Sequence, residues 1–355
     1  MILDRALDIF RGQAITIPPL DGAFRPNTAL DDAETAATAP APDHLCVKDG
    51  RVLYSSATQV GALASPASGQ AFPSLSFDRP VAALATSKGG RLAVALADGA
   101  IVICEDAGGR REIPAPKGFA CPTALAFGDE ETLYVCHGSA RHGPADWALD
   151  FMEKGASGAV WRTALGSGRH DPIARGLSYP HGILVTPAGL IVSESWRHRL
   201  LSVDPASGAT TPILSKLPGY PGRLAPAPDG GAWLALFAPR NRLIEFVLLE
   251  DNYRHDMMRS VERQHWIAPA LSSGRSFLEP LQCGSIKTMG IHKPWAPSRS
   301  YGLVARLDAR LRPVASFHSR ANSTRHGATS VVETGAGVFV AAKGGDAILR
   351  LTGGA

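Results

Sequence analysis

Residues 179–198 read YPHGILVTPAGLIVSESWRH. Two short apolar runs, GILVTP and LIVSES, lie on either side of the tripeptide PAG, an arrangement typical of a β-hairpin with a tight turn. Histidine, glutamate, tryptophan and arginine stand at the two ends of the stretch. The sequence therefore predicts two antiparallel strands that present polar side chains at one end of the hairpin.

The same order of strand, turn and strand, followed by a third apolar run, recurs along the chain, as expected for a repeat protein. Most copies continue into a weaker fourth run, such as RREI from Arg110 or TTPIL from Thr210. Six units of four short antiparallel strands are typical of a β-propeller. We therefore predict an all-β, six-bladed β-propeller that forms a single domain over residues 1–355. The predicted blades lie near 43–78, 80–113, 121–175, 179–215, 221–318 and 326–351.

Two copies are interrupted between their second and third strands, at 138–157 and at 241–301. The first insertion contains PADWALDFMEKG and the second begins with EFVLLEDNYRHDMMRSVERQ, and both segments have helical patterns. In a propeller, second strands end on the face where first strands begin. Both insertions should therefore rise from that face and cover the mouth of the central channel.

The sixth copy supplies only three strands, which would leave an open sheet edge. The run QAITIP, at 13–18, is the one β-like segment outside the repeats. We therefore predict that Ala14 to Ile17 pairs with Ala347 to Leu351 as the fourth strand of blade six. The Ala/Pro/Thr-rich residues 24–42 would then carry the chain to blade one.

Composition excludes several classes of function. The net charge is only +4 and no Lys/Arg run is present, which argues against nucleic-acid binding. No apolar run is long enough to span a membrane. The five cysteines are scattered without metal-type spacing, and MILDRALDIFRG resembles a short amphipathic helix more than a signal peptide. We therefore expect a cytoplasmic protein, and the sequence leaves its oligomeric state open.

Three long segments point to a family: YPHGILVTPAGLIVSESWRHRL, LPGYPGRLAPAPDGGAWLALFAPR and YGLVARLDARLRPVASFH. They resemble strictosidine synthase-like proteins, which belong with the gluconolactonase (SMP-30), regucalcin and paraoxonase group of six-bladed propellers. The segment GSARHGPADWALDFMEKGASGAVWR is similar to bacterial members, and the resemblance covers most of the chain. It implies that the chemistry takes place at the mouth of the central channel.

Many members of that group hold calcium at the channel mouth. The resemblance implies an acidic ligand at the first blade, an asparagine at the fourth and an Asp-Asn-type pair at the fifth. Asp43 falls at or beside the first position, but His181 and Gly222-Arg223 occupy the other two. Calcium takes about six to eight oxygen ligands, which histidine and arginine do not supply. Thr329 stands where strictosidine synthase has its catalytic glutamate, which argues against condensation of an amine with an aldehyde.

The repeat also predicts which side chains surround the channel mouth. Residues just before the first strands are Asp43, His44, Cys121, His181, Arg223 and His326. The ends of the second strands add His137, Glu194, Trp196, Arg240 and Lys343. This set is rich in histidine and cations, so we expect an electropositive mouth that binds a small anionic substrate. Lys343 is expected to face solvent, and Arg240 either stacks on Trp233 or pairs with Glu245.

Hydrolysis of a lactone or ester is the first functional hypothesis. His181 would be the general base, Glu194 or Asp43 would orient it, and Arg223 would bind a substrate carboxylate or an oxyanion. His44, Trp196, Arg240 and His326 would contact the substrate. SES at 193–195 lacks the G-x-S-x-G frame, which argues against a serine nucleophile.

Three alternatives remain open at the sequence level. Asp43, His44, His181 and His326 could form a zinc or iron site, since the ring of blades brings distant residues together. A propeller that binds an anionic metabolite without turnover, or a lyase or synthase using the same pocket, would also fit the pattern.

Overall fold

The computed structural model describes residues 17–63, 74–105, 108–280 and 298–351. In these ranges the strands form six four-stranded antiparallel sheets arranged as a six-bladed β-propeller, which confirms the predicted fold class. One strand, β1 (Glu34–Thr38), precedes blade one.

The strands of the first three blades follow in chain order. Blade one contains β2 (Leu45–Lys48), β3 (Arg51–Ser56), β4 (Gln59–Ala62) and β5 (Leu75–Ser76). Blade two contains β6 (Val81–Thr86), β7 (Leu92–Leu96), β8 (Ile101–Cys104) and β9 (Arg110–Ile113). Blade three contains β10 (Pro122–Phe127), β11 (Thr132–His137), β12 (Gly158–Ala164) and β13 (Arg169–Leu177).

The other three blades have the same order of strands. Blade four contains β14 (Pro180–Thr186), β15 (Gly189–Glu194), β16 (Arg199–Val203) and β17 (Thr210–Leu214). Blade five contains β18 (Gly219–Pro226), β19 (Ala232–Pro239), β20 (Leu303–Leu307) and β21 (Pro313–His318). Blade six contains β22 (Ala328–Thr334), β23 (Gly337–Ala342) and β24 (Ala347–Leu351). The first strand of each blade contacts the first strands of its neighbours, so these six strands surround the central channel.

The PAG tripeptide forms the turn of the hairpin between β14 and β15, where Thr186 pairs with Gly189. Gly189 has a φ of 126°, a backbone conformation that favours glycine because it has no Cβ. A Cβ at this position would also approach the carbonyl oxygen of Val203 to 3.0 Å. The turn residue is therefore fixed by backbone geometry.

The ring is closed by β1, which pairs antiparallel with β24 as the outer strand of blade six. The predicted partner of β24 was Ala14–Ile17, and this assignment is wrong. Ile17 is not part of a strand, and residues 14–16 lie outside the described residues. The closing strand instead lies within 24–42, the segment that was expected to be a linker.

The apolar core lies between neighbouring blades. Leu53 and Val60 of blade one pack with Val94 and Leu96 of blade two, and all four side chains are fully buried. Comparable clusters join the other blades. Because neighbouring blades cover both faces of a sheet, its inner strands are continuous apolar runs, such as the completely buried β7.

Both insertions form helices over one face of the propeller. The first contains a short 3-10 turn at Pro144–Asp146 followed by α1 (Trp147–Met152). The second contains α2 (Arg242–Leu249), α3 (Asp251–Ser260) and a 3-10 turn at Arg263–His265. No helix among the described residues is both long and apolar enough to cross a membrane.

The two insertions pack on each other and on blade five. Phe151 and Met152 of the first share an apolar cluster with Val247 and Met257 of the second and with Phe237 of β19. Ion pairs between the insertions accompany this packing: Lys154 to Asp251 at 2.8 Å and Arg263 to Asp146 at 2.5 Å. We call these two packed insertions the lid.

Candidate functional site

Two cavities between described residues lie along the central channel. A cavity of about 340 Å³ lies where the inner strands begin and is roofed by the lid residues Pro144, Ala145, Trp147 and Leu271. We call it the mouth cavity. The second, of about 390 Å³, lies further along the same strands and is lined by residues such as Cys46, Phe127 and Glu333. The side chain of Arg223 lies at the level that separates them.

The Arg223 guanidinium connects four other blades. The side chain is only 4% exposed, so each of its N–H groups needs a protein acceptor. It donates to the Asp43 carboxylate of blade one at 2.5 Å and to backbone carbonyls in blades two, three and six. These carbonyls belong to Ala82 at 2.9 Å, Thr123 at 3.1 Å and Thr329 at 3.5 Å.

Asp43 forms two ion pairs, one through each carboxylate oxygen. Oδ1 accepts from Arg223 and Oδ2 accepts from Nζ of Lys343 at 2.6 Å. Burial by itself would raise the pKa of Asp43, but the two cations outweigh burial and hold this pKa well below its usual range. The three side chains together carry one net positive charge, which they place at the floor of the mouth cavity.

His181 lines the mouth cavity and makes no hydrogen bond to any described residue; its Nδ1 atom is buried without a partner. Burial, aided by the charges of Arg223 and Lys343, lowers the pKa of His181 to about 3, against the opposing effect of Asp43. The imidazole is therefore neutral at neutral pH. It has a lone pair available for a water or a ligand proton.

Aromatic side chains form the wall of the mouth cavity next to His181. Tyr179 stacks on Trp196 with 4.4 Å between ring centroids, and Trp147 packs edge-on against Phe237 at 5.5 Å. Tyr179 has a φ of 57°, which is uncommon for a bulky residue and costs about 1–2 kcal/mol. The surrounding packing therefore holds this ring in place at the cavity.

A buried carboxylate of the lid orients the tryptophan of this wall. Asp150 of α1 is fully buried and accepts a hydrogen bond from Nε1 of Trp196 at 2.8 Å. Gly155 lies so close that a Cβ there would overlap the Asp150 carboxylate. The lid is thus attached to blade four through the same tryptophan that faces the cavity.

Four of the predicted site residues do not line the mouth cavity: Glu194, Arg240, His326 and His44. Glu194 is fully buried and accepts hydrogen bonds from the backbone N–H of Ser178 and from Arg199, so it does not orient His181. Arg240 pairs with Glu245 at 2.9 Å, one of its two expected partners.

His326 is the third, and both of its ring nitrogens are engaged elsewhere. One is 2.8 Å from Ser300 Oγ and the other is 2.9 Å from the carbonyl of Arg320. Thr329 occupies the cavity-lining position of blade six, three residues further along the chain. The imidazole therefore supports the loop that precedes β22 and does not contact the cavity.

His44 follows Asp43 but lines the second cavity. Its Nδ1 accepts a hydrogen bond from the backbone N–H of Leu84 at 3.0 Å, which fixes the neutral tautomer with the proton on Nε2. Burial, together with the charge of Arg223, lowers the pKa of His44 well below its usual range. His44 therefore joins blades one and two and does not contact a ligand in the mouth cavity.

The residues at the mouth do not fit a calcium ion. Both oxygens of Asp43 are bonded to cations, and Arg223 already uses the carbonyl oxygens that face the axis. The proposed zinc or iron ligands are not gathered either, because His44 and His326 are bonded away from His181. Among the described residues, no group of three or more His, Cys, Asp or Glu side chains could hold a metal ion.

Sequence reasoning missed several residues of the cavity. Lys343 was expected to face solvent, yet it pairs with Asp43 at the cavity floor. Its position directly after β23, on the face where the second strands end, was the signal for its location. Tyr179, Trp147 and Phe237 carried no comparable signal, since an aromatic residue at a strand end or in a helix usually packs in a core.

The chain is similar in structure to several solved proteins. One is a calcium-binding protein, regucalcin, from Agrobacterium tumefaciens strain C58, with a TM-score of 0.53, 13% identity, and 87% of this chain and 84% of that chain covered. Another is a candidate gluconolactonase, with a TM-score of 0.55, 12% identity, and 96% of this chain and 100% of that chain covered. No family model and no curated protein sequence match the chain. At these identities the likeness establishes the fold alone.

Proposed function

We propose that the mouth cavity is the active site of a hydrolase of the gluconolactonase type, acting on a small anionic lactone or ester. The chain would belong with the gluconolactonase and regucalcin group, in agreement with its fold and its sequence resemblance. The observation that carries the proposal is His181: a neutral imidazole without a protein partner among the described residues, facing a roofed cavity beside a cation.

In the proposed reaction His181 acts as a general base. Its unprotonated nitrogen accepts a proton from water while the water oxygen attacks the substrate carbonyl carbon and the carbonyl π electrons move onto oxygen. When the tetrahedral intermediate collapses, the ring C–O bond of the lactone, or the ester C–O bond, breaks. The imidazolium then returns the proton to the leaving alkoxide, so that the net change is addition of one water molecule.

Lys343 replaces Arg223 as the proposed anion-binding group. Arg223 is buried and bonded to oxygens of four blades, so it has little capacity left for a substrate. Lys343 is about 30% exposed and uses one of its three N–H donors on Asp43. Its remaining donors can bind a substrate carboxylate or the oxyanion of the intermediate.

Binding without turnover is the second candidate function, and the environment of His181 favours it. An imidazole with a pKa of about 3 is a weak base, and no carboxylate among the described residues is bonded to it. A cavity with these properties would bind an anionic metabolite and leave it unchanged.

A panel of lactones and aryl esters tests both candidates. The hydrolase proposal requires hydrolysis by the wild-type protein that is lost in His181→Ala. The matched control is His170→Ala. His170 lies on the outer strand of blade three, away from the mouth, and is hydrogen-bonded to Thr163 and to the carbonyl of Pro114. Saturable binding of small carboxylates without turnover of any panel member would instead support the binding protein. Hydrolysis unaffected by His181→Ala would refute the assigned base.

A further inference from the structure

Most polar side chains that line the mouth cavity are already bonded within the protein. Thr123 Oγ1 donates to the carbonyl of Pro180, Thr329 Oγ1 donates to the carbonyl of Asp43, and Trp196 Nε1 donates to Asp150. Asp43 and Arg223 are bonded to each other and to further groups, as described above. A ligand in this cavity therefore finds few groups with which to form new hydrogen bonds.

Besides Tyr179, whose hydroxyl oxygen accepts from Cys121 Sγ and whose own O–H has no acceptor, three lining side chains retain polar atoms without a partner in the described part of the chain. They are His181, Lys343 with its remaining N–H donors, and the indole N–H of Trp147. His181 and Lys343 lie toward the cavity floor, whereas Trp147 belongs to the lid. A ligand can thus place one acceptor or anionic group at the floor. The rest of its surface contacts mainly apolar side chains.

The two sides of the mouth cavity are lined by different kinds of side chain. Tyr179 and Trp196 of blade four and Phe237 of blade five form the aromatic side. Apart from Asp43 at the floor, blades one and two, which stand across a six-bladed ring from blades four and five, contribute only small or apolar residues. These residues are Pro40, Ala41, Ala57, Pro80, Val81, Ala82 and Ala97. The mouth cavity therefore has one aromatic side and, opposite it, a side of small apolar residues, and a flat ring could pack against the aromatic side.

From these contacts we infer the substrate class: a flat aromatic or aromatic-fused ring that carries one carboxylate or lactone carbonyl, rather than a polyhydroxylated sugar lactone. This inference takes the mouth cavity as the site from the proposed function. A sugar acid would bury several hydroxyls against walls that offer few partners, and each unpaired hydroxyl weakens binding by roughly tenfold. An aromatic ring instead gains stacking and loses no hydrogen bonds with water.

Calorimetric titration of the full-length protein with two product-like anions tests the substrate class. The probes are 2-naphthoate, a flat aromatic carboxylate, and gluconate, a polyhydroxylated carboxylate of the same charge. We expect naphthoate to bind at least about tenfold more tightly than gluconate. Trp196→Leu and, independently, Trp147→Leu should each weaken naphthoate binding by about tenfold, because each removes an aromatic face. Phe127→Leu in the second cavity is the matched control and should leave binding unchanged.

The outcomes separate this inference from the proposed function. Naphthoate binding that depends on Trp196 or Trp147, without hydrolysis of any lactone or ester, supports the ligand class and refutes the hydrolase. Gluconate binding as tight as naphthoate binding, or hydrolysis of a sugar lactone in preference to an aromatic one, overturns the inference even if His181 is the base. Naphthoate binding that is weakened by Phe127→Leu and not by either tryptophan variant overturns it as well.

Discussion

Nη1 of Arg223 lies 2.5 Å from Oδ1 of Asp43, and this buried ion pair joins blade five to blade one across the central channel. The remaining N–H groups of the guanidinium bond carbonyls of blades two, three and six. A single side chain therefore provides a positive charge that oxygens from four other blades surround. The positive charge at the channel axis is therefore supplied by a side chain of the protein, the Arg223 guanidinium.

Removal of this guanidinium should destabilise the whole propeller. Arg223→Ala leaves three buried carbonyls without their donor and Asp43 with Lys343 as its only cation. We expect the free energy of unfolding to fall by about 3 kcal/mol, as for other buried pairs that lose one partner. Urea denaturation measures the change.

Arg79 provides the matched control for that experiment. Like Arg223, Arg79 bonds several oxygen acceptors at once. Its acceptors are the carboxylates of Asp78, Asp98 and Glu112, which are 46–78% exposed to solvent. Arg79→Ala should therefore cost less than about 1 kcal/mol. Equal losses in the two variants would contradict a structural role for the Arg223 guanidinium at the axis.

Calcium should not stabilise the wild-type protein. Its expected oxygen ligands are bonded to Arg223 and Lys343, and a divalent cation at the same place would be repelled by both. Thermal unfolding in millimolar calcium and in excess chelator should give the same Tm. An increase in Tm that depends on calcium concentration and disappears in Asp43→Asn would contradict this expectation.

The six blades could be predicted from the sequence because each blade is built locally. Turn residues such as Gly189 and the apolar runs on either side of them determine hairpins whose strands are neighbours in sequence. The closing strand could not be predicted in the same way. Glu34–Thr38 is an Ala/Thr-rich, mostly exposed outer strand without apolar alternation, and only its pairing with β24 makes it a strand.

The repeat also placed part of the candidate site correctly. Asp43, His181 and Arg223 occupy equivalent positions on three blades, and all three line the mouth cavity. Glu194 failed as a site residue because it pairs with Arg199 on the neighbouring strand, inside the blade. The sequence could not reveal how Arg223 is used, since its four acceptors come from residues far apart in the chain.

Asp43 should make stability depend on acidic pH. Its pKa in the folded protein lies well below the unfolded value of about 3.9, so its charge stabilises the fold fully above that value. This contribution is lost as the pH falls toward the folded pKa. The difference in unfolding free energy between wild type and Asp43→Asn should therefore be larger at pH 7 than at pH 3. Asp256→Asn, an exposed carboxylate on α3, should show almost no difference at either pH.

His181 predicts an unusual pH profile for any hydrolysis. Because its pKa in the folded protein is about 3, it stays neutral far below the ordinary histidine value of about 6.5. The kcat/KM of the wild-type enzyme should therefore remain flat from pH 8 to about pH 5, as read from the free-enzyme limb of the profile. A fall centred near pH 6.5 would contradict either the lowered pKa of His181 or its role as the base.

Closure of the ring by β1 gives the last prediction. Blade six takes its outer strand, Glu34–Thr38, from the start of the chain and its other strands from the end, so this pairing joins the first and last blades. Replacing these five residues with a Gly/Ser segment of equal length should expose β24 and lower the free energy of unfolding cooperatively.

The matched control is the same replacement of Thr210–Leu214, the exposed outer strand of blade four, which removes a strand without opening the ring. Urea denaturation should show a clearly larger loss for the blade-six replacement, because it removes closure as well as a strand. Equal losses would mean that β1 acts only as another outer strand.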